Sequence, residues 1–342
     1  MKKILIIICC VFALNSAKAQ DWHLSMYDAA PLFLNPSMTG VVEAEWRIHA
    51  HYRNQWSSVN FKAFNTALLS FDMPVGKWGF GGQIVNYRAG FGNYNALQGL
   101  ASAAYTLPLT KNQAHVLSFG LQGGLTQKRV EHPLHTFDNQ WTTTNGGGFD
   151  NGLANGESFN GQAFVIPDIN MGAMYYYAKQ QSRLNPFIGL SVFNLLTPKE
   201  SWYGADNRLP MRFYTHVGCR VNLTEQIYIL PKVLWMQQQQ FDNVGEVFSG
   251  YQTLTEMTFA CDAGFFFKQS ELWVLGGLTF RNKDAFIATI GARKTNYIAK
   301  LSYDTNLSEL TTASGGRGGI EISFTYMHQK KDKKKVKICP EL

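Results

Sequence analysis

Between Glu43 and Arg53, polar and charged side chains fall on every second residue: Glu43, Glu45, Arg47, His49, His51 and Arg53. Trp46, Ile48, Ala50 and Tyr52 lie between them. Successive side chains of a strand point to opposite faces, so this order sorts charge from apolar surface; a helix would scatter both over its circumference. The same alternation places Ser118, Gln122 and Thr126 opposite Leu117, Phe119, Leu121 and Leu125. It also places Glu321, Ser323 and Thr325 opposite Ile320, Ile322, Phe324 and Tyr326.

Carried along the chain, the pattern predicts fourteen strands, near 43–54, 61–72, 78–89, 96–107, 114–128, 168–180, 185–196, 210–222, 227–238, 255–268, 271–282, 284–294, 296–306 and 316–327. Segments 78–89 and 227–238 are ambiguous in phase. Each length suits a tilted transmembrane β-strand, and an even number suits a closed single-chain barrel. Connections alternate in length. Met73–Lys77, Pro108–Gln113, Gln181–Leu184, Leu223–Gln226, Gln269–Ser270 and Thr295 are short, whereas 129–167, 197–209, 239–254 and 307–315 are longer. Short turns belong to the periplasmic side of such barrels and long loops to the outside. Both ends of the barrel are therefore expected in the periplasm. The 129–167 connection is long enough to suggest a functional loop, with its partner unspecified.

Composition narrows the choice to a membrane barrel or a large soluble β protein. Aromatic residues make up 14% of the chain and charged residues only 16%, below the roughly 25% usual for soluble domains. No mature stretch is apolar for the 18 or so residues a membrane helix requires. A soluble array of β-sandwiches would break into domains joined by linkers, and no linker composition interrupts 43–327. The expected fold is an all-β transmembrane antiparallel barrel over 43–327.

The N-terminus orders two lysines, Lys2 and Lys3, before an apolar run from Ile4 to Leu14 and then Ala17-Lys18-Ala19. That is the layout of a cleaved signal peptide over 1–19, with Gln20 the first mature residue. Removing it, with its three lysines, changes the meaning of the charge. The tail over 328–342 carries Lys330, Lys331, Lys333, Lys334, Lys335 and Lys337 against Asp332 and Glu341. Those two ends hold +3 and +4 of the net +7, which leaves the body neutral, so a nucleic-acid partner is not expected. The basic tail is either a solvated terminus or a periplasmic handle for an acidic partner or anionic headgroups.

Cys219 and Cys261 fall on apolar faces and read as small lipid-facing side chains, while Cys339 is left open between free, paired and modified. His49 and His51 share a strand face, but Arg47 and Arg53 flank them and no third ligand is near, so no metal is expected. There is no nucleophile elbow and no glycine loop between a strand and a helix, so neither catalysis nor a cofactor is expected. The inward charges Arg47, His49, His51, Arg53, Arg212, Arg220, Lys300, Asp304 and Glu321, with Asp262, Arg281 and Arg293, are expected to line the lumen. There they form either a salt-bridged lining or a path for a substrate. A diffusion channel or small-molecule transporter is one function that suits such a barrel.

Before the first strand stands Tyr27-Asp28-Ala29-Ala30-Pro31-Leu32-Phe33-Leu34-Asn35-Pro36-Ser37-Met38-Thr39-Gly40, and at its end Tyr52-Arg53-Asn54-Gln55-Trp56. Near the C-terminus stand Ser302-Tyr303-Asp304-Thr305-Asn306-Leu307-Ser308, Ser314-Gly315-Gly316, Glu321-Ile322-Ser323 and Cys339-Pro340. Together these resemble the PorP/SprF family of type IX secretion system membrane proteins across the mature chain. The resemblance implies an outer-membrane barrel set in lipid. It implies work with other components of the type IX secretion and gliding apparatus, in support of the secretion or surface anchoring of a specific large surface protein. It brings no catalytic residues. The Pro-containing segment 20–42 cannot pair along its length as a central strand and is expected to be a plug or periplasmic strap.

Overall fold

The computed structural model describes residues 22–59, 62–90, 92–132, 135–157, 161–179, 181–202, 204, 206–242, 250–309 and 311–329. Fourteen antiparallel strands close into one barrel. They are β1 (Trp46–Gln55), β2 (Phe64–Val75), β3 (Trp78–Ala89), β4 (Tyr94–Pro108) and β5 (His115–Arg129). Two-residue strands β6 (Trp141–Thr142) and β7 (Gly148–Phe149) form a separate hairpin in the long connection. The wall resumes with β8 (Ala163–Tyr177), β9 (Leu184–Phe193), β10 (Arg212–Asn222), β11 (Ile227–Asp242) and β12 (Gly250–Phe267). It ends with β13 (Leu272–Arg281), β14 (Ala285–Lys294), β15 (Tyr297–Asn306) and β16 (Arg317–His328). The last strand pairs with the first from Trp46↔His328 to Gln55↔Gly319, so no sheet edge is left at the closure.

Alternation does what the sequence demands. On β1, Arg47, His49, His51 and Arg53 are buried inside, while Ile48 and Tyr52 are exposed outside. Exposed apolar side chains continue round the wall, among them Leu69, Ile84, Leu121, Leu190, Leu278, Ile290 and Ile322. Apolar surface on that scale has no stable place in water, and in a bilayer it is the solvated face. Cys219 and Cys261 lie on it, with Cys261 exposed. At the rim where β1 begins and β16 ends (rim A), aromatic side chains cluster. Trp46 packs against Phe71, Tyr326 and His328, Trp78 against Tyr105, and Tyr297 against Tyr326. Such a girdle suits the membrane–water interface. No helix among the described residues is long and apolar enough to cross a membrane.

Several predicted boundaries need correction; β1 and β2, expected from 43 and 61, start at Trp46 and Phe64. β8 starts at Ala163, where it pairs with Arg129, five residues earlier than the expected 168. The added stretch contains Pro167, and a proline cannot donate to a central ladder. Here β9 ends at Phe193, and Leu195 reaches only Ile169 by backbone hydrogen bond, so the missing Pro167 donor faces a side with no strand neighbour. β9 correspondingly stops short of the predicted 196. The connection expected over 239–254 shrinks because β11 and β12 pair out to Asp242↔Gly250. The 129–167 connection is also partly structured, with Trp141 against Phe149 across the β6–β7 hairpin.

Candidate functional site

Inside the barrel lies the chain's own N-terminal segment, residues 22–42. Leu24 to Met38 are buried apart from Ala29, and the segment advances in short turns: a 3-10 turn at Tyr27–Ala29, one α-turn at Pro31–Leu34 and a 3-10 turn at Pro36–Met38. Both prolines stand at the first position of a turn, where the absent N–H is not missed. Asn35 caps the third turn by accepting from the Ser37 backbone at 2.9 Å and from its hydroxyl at 2.7 Å.

The segment crosses from one wall to the other. On the β4, β5, β8 and β9 side, Asn35 donates to the carbonyls of Ala173 and Leu190, each at 3.2 Å. Ser118 donates to Ser37 O at 2.7 Å, Ser191 to Leu34 O at 2.9 Å, and Thr39 meets Ser102 at 3.0 Å. Inward glycines let the backbones approach this closely. A Cβ on Gly120 would stand 2.3 Å from the Pro36 carbonyl, one on Gly79 2.0 Å from Thr39 O, and one on Gly172 1.9 Å from Asn35 Oδ1. Gly40 turns the segment out again at φ +69, and its N–H donates to Asp72 at 2.7 Å.

Gly172→Ala is therefore expected to cost about 1–3 kcal/mol through overpacking. Asn35→Ala in the same chain should recover part of that, a coupling of about 0.5–3 kcal/mol. Urea midpoints of the folded barrel in vesicles measure both. Strictly additive losses would show that the two residues do not meet.

On the opposite wall the anchor is ionic. Arg53 Nη2 lies 3.1 Å from Asp304 and its Nε 3.1 Å from Glu321, while its other amino group donates to the His23 carbonyl. Glu321 also accepts from the Met26 backbone at 2.8 Å and contacts His51 at 3.0 Å. Asp304 accepts from the Ser25 hydroxyl and contacts Arg281 at 3.4 Å. Lower on the same wall, Lys232 bridges Asp28 at 2.6 Å and Asp262 at 2.7 Å, and Lys300 reaches Asp28 at 3.4 Å. Arg47 grips Asp72 with two bonds at 2.9 and 2.8 Å, the geometry that gives an arginine–carboxylate pair its directionality.

Of the residues proposed from sequence, His51, Arg53, Asp304 and Glu321 share one ionic group, Lys300 joins a second through Asp28, and Arg47 pairs with Asp72 in a third. His49 lies beside His51 with ring centres 5.6 Å apart and meets Thr325 at 2.8 Å. Arg212 and Arg220 sit elsewhere, against rings. Arg212 lies over Phe193 and Tyr214, and Arg220 lies 4.0 Å from the Tyr228 ring centre. The six tail lysines from Lys330 to Lys337, Cys339 and the first 21 residues lie outside the described residues. Among the described residues no group of three or more His, Cys, Asp or Glu is placed to hold a metal.

Sequence reasoning missed the partners that the inner segment itself supplies: Ser25, Asp28, Asn35 and the Ser37 carbonyl. It also passed over the glycines. A usable signal existed, because glycine in a strand interior marks the close approach of another backbone, and Gly79, Gly120 and Gly172 all fall on inward positions.

At the opposite rim (rim B), the connection between β9 and β10 folds inward. Lys128 meets Glu200 at 2.6 Å, and Trp202 packs against Phe164 and Tyr94 with centres 4.8 and 6.2 Å apart. Further out on the same connection, the hydrogen bond from Lys199 holds the exposed Asp206 carboxyl below its ordinary range.

The segment is thus strapped across a fourteen-stranded lumen by contacts to and from its backbone and Asn35. The family model of the type IX secretion system membrane protein PorP/SprF matches residues 16–326. The chain belongs to the PorP/SprF family. The match extends over the inner segment and the barrel strands as far as residue 326, and it marks the chain as a type IX secretion system membrane protein. No curated protein matches the chain in sequence.

Among solved structures, this PorP/SprF barrel is similar to the CymD monoaromatic hydrocarbon channel at 11% identity and TM-score 0.50, over 89% of this chain and 94% of that one. It is similar to a deltaS2S3 mutant of the TodX monoaromatic hydrocarbon channel at 10% identity and TM-score 0.52, over 88% of this chain and 94% of that one. At such identity these likenesses concern the outer-membrane barrel fold alone.

Proposed function

We propose that this PorP/SprF barrel is an accessory component of the type IX secretion and gliding machinery that supports secretion or surface anchoring of one large surface protein. The observation that carries the proposal is the family match over 16–326 in a barrel whose lumen is crossed by its own segment. A strapped lumen favours a holding role over a diffusion channel for small solutes. In this assignment residues 1–19 are a removed signal, rim A faces the periplasm with both chain ends, and rim B carries the 130–162 connection outside. The inner segment is the plug, and the basic tail is a handle for an acidic partner or anionic headgroups. No chemistry is assigned to the barrel.

Gentle detergent extraction from the native membrane, followed by mass spectrometry, is expected to recover other secretion components and one large exported protein. Deletion of the gene is expected to remove that protein from the surface while small-solute uptake stays normal. Recovery of the barrel alone, together with intact surface display in the deletion strain, would refute the proposal.

A further inference from the structure

At rim B the wall is uneven in height. β11 and β12 stay paired out to Asp242↔Gly250, whereas β13 gives β12 its last partner at Thr258↔Arg281, followed by one bond from Asn282 N to Met257 O. On that side Gly250–Glu256 of β12 have no strand neighbour, and among the described residues no element other than β11 and β13 packs along β12. Successive residues of a strand turn their backbone groups to alternate sides. Met257 turns its carbonyl to the β13 side, so Thr255 and Thr253 present their N–H and C=O groups there too, while Leu254 and Glu256 face β11.

The outward side chains show at what height this edge stands. Phe265, Phe259 and Met257 are exposed on the lipid face, and Phe259 sits in one row with Phe280 and Phe286. The next outward residues are Thr255 and Thr253, both exposed. The change from aromatic to polar places the open edge above the interfacial row, in water.

Open edges invite association, and proteins blunt them with proline, lysine, bulges or a covering segment. This barrel uses two of those devices where β8 continues past the end of β9. Pro167 offers no donor there, and Trp202 of the β9–β10 connection packs against Phe164. Gly250–Met257 contains no proline and no lysine, and its pairing with β11 runs without a bulge. Its one charged residue, Glu256, lies on the face of the buried Leu254 and is held by Thr258 at 3.4 Å.

A row of unused main-chain donors and acceptors is complementary to another extended polypeptide. A second copy of this chain does not fit. Two copies in one membrane are related by an axis along the membrane normal, which keeps every group at its own height. N–H would then face N–H, and C=O would face C=O. We propose that the β12 edge over Tyr251–Thr255 receives an extended, proline-free strand of a different polypeptide, which adds to the wall at rim B. Threonine and other β-branched residues suit the positions beside Thr253 and Thr255. That this strand belongs to the large surface protein rests on the function proposed above.

The test separates main-chain from side-chain recognition. Thr253→Pro with Thr255→Pro removes both donors from the open side and leaves the β11 ladder intact, so the barrel should fold and keep the parent's heat resistance. Surface display of the protein that the deletion strain loses, quantified by mass spectrometry of protease-shaved cells, should fall about ten-fold or more, the scale of two lost hydrogen bonds. Thr253→Val with Thr255→Val keeps both donors and should display as the parent does. Should the proline chain fail to fold, amide hydrogen exchange of the parent chain decides. The Thr253 and Thr255 amides should exchange at least about ten-fold more slowly in the complex extracted from the native membrane than in the purified barrel, with Leu254 unchanged. Full display in the folded proline variant, equal loss in the valine variant, or equally fast exchange of the two amides in both preparations would each overturn the inference. Failure of the proposed function looks different, because the deletion strain itself then keeps its surface proteins.

Discussion

In planar bilayers the full chain is expected to give no steady ion conductance, and a chain lacking residues 22–42 to conduct continuously. The expectation follows from where the segment is tied. Met26 and Asp28 are held by Glu321, Lys232 and Lys300 on one wall, while Asn35, Ser37 and Thr39 are held by β4, β5, β8 and β9 on the other. A solvated ion must pass this strap and then the inward-folded connection fixed by Lys128–Glu200. Barrels of 16–18 strands with an unfilled lumen hold aqueous channels, and a fourteen-stranded one cleared of its segment is not far below that size. Removal should raise conductance by roughly ten-fold or more over any leak of the intact chain. Should the shortened chain fail to insert, Asp28→Asn combined with Glu321→Gln weakens the ionic side of the strap and should give brief openings. A conducting parent chain, or a deletion as silent as the parent, would show that the segment does not close the lumen.

Much of this architecture is legible in the sequence, and the reason is specific. A barrel places every strand between two solvents, lipid outside and a polar interior, so each strand must alternate. Arg47, His49, His51 and Arg53 could therefore be assigned to one face from spacing alone. The short turns, such as Leu223–Gln226, separate strands cleanly enough to set the count. Segment ends were less legible where local rules pointed the wrong way. Pro167 has no N–H to give a ladder, and β8 accommodates it where β9 has already ended.

The inner segment was least legible of all. Residues 22–42 carry no period, because their partners are supplied by seven or more different strands. Asp28 meets Lys232 and Lys300, more than 200 residues away along the chain. No spacing rule links such positions. What the sequence did hold was a set of complementary vacancies, glycines at inward positions of β3, β5 and β8. They become interpretable only once the strands are in register.

The ionic anchor allows a sharp test of what charge inside this barrel does. Arg53→Met keeps the length and apolar stem of the side chain but leaves Glu321 and Asp304 buried with less positive charge. Arg281 still reaches Asp304 at 3.4 Å and His51 still reaches Glu321 at 3.0 Å, so the loss is not total. Removing one partner of a buried ionic cluster nevertheless typically costs about 3–5 kcal/mol, because the stranded charge cannot return to water. The His23 carbonyl also loses its guanidinium donor, which loosens the start of the inner segment. The folded band on a cold gel should therefore convert to the unfolded one at a clearly lower temperature in Arg53→Met than in the parent. Arg129→Met is the matching control, because its pair with Glu131 is exposed at 4.0 Å and such pairs contribute at most about 1 kcal/mol. Equal heat resistance of Arg53→Met and the parent would mean that Glu321 and Asp304 are solvated in the membrane-embedded protein. The cluster would then be a wet lining and not the anchor of the strap.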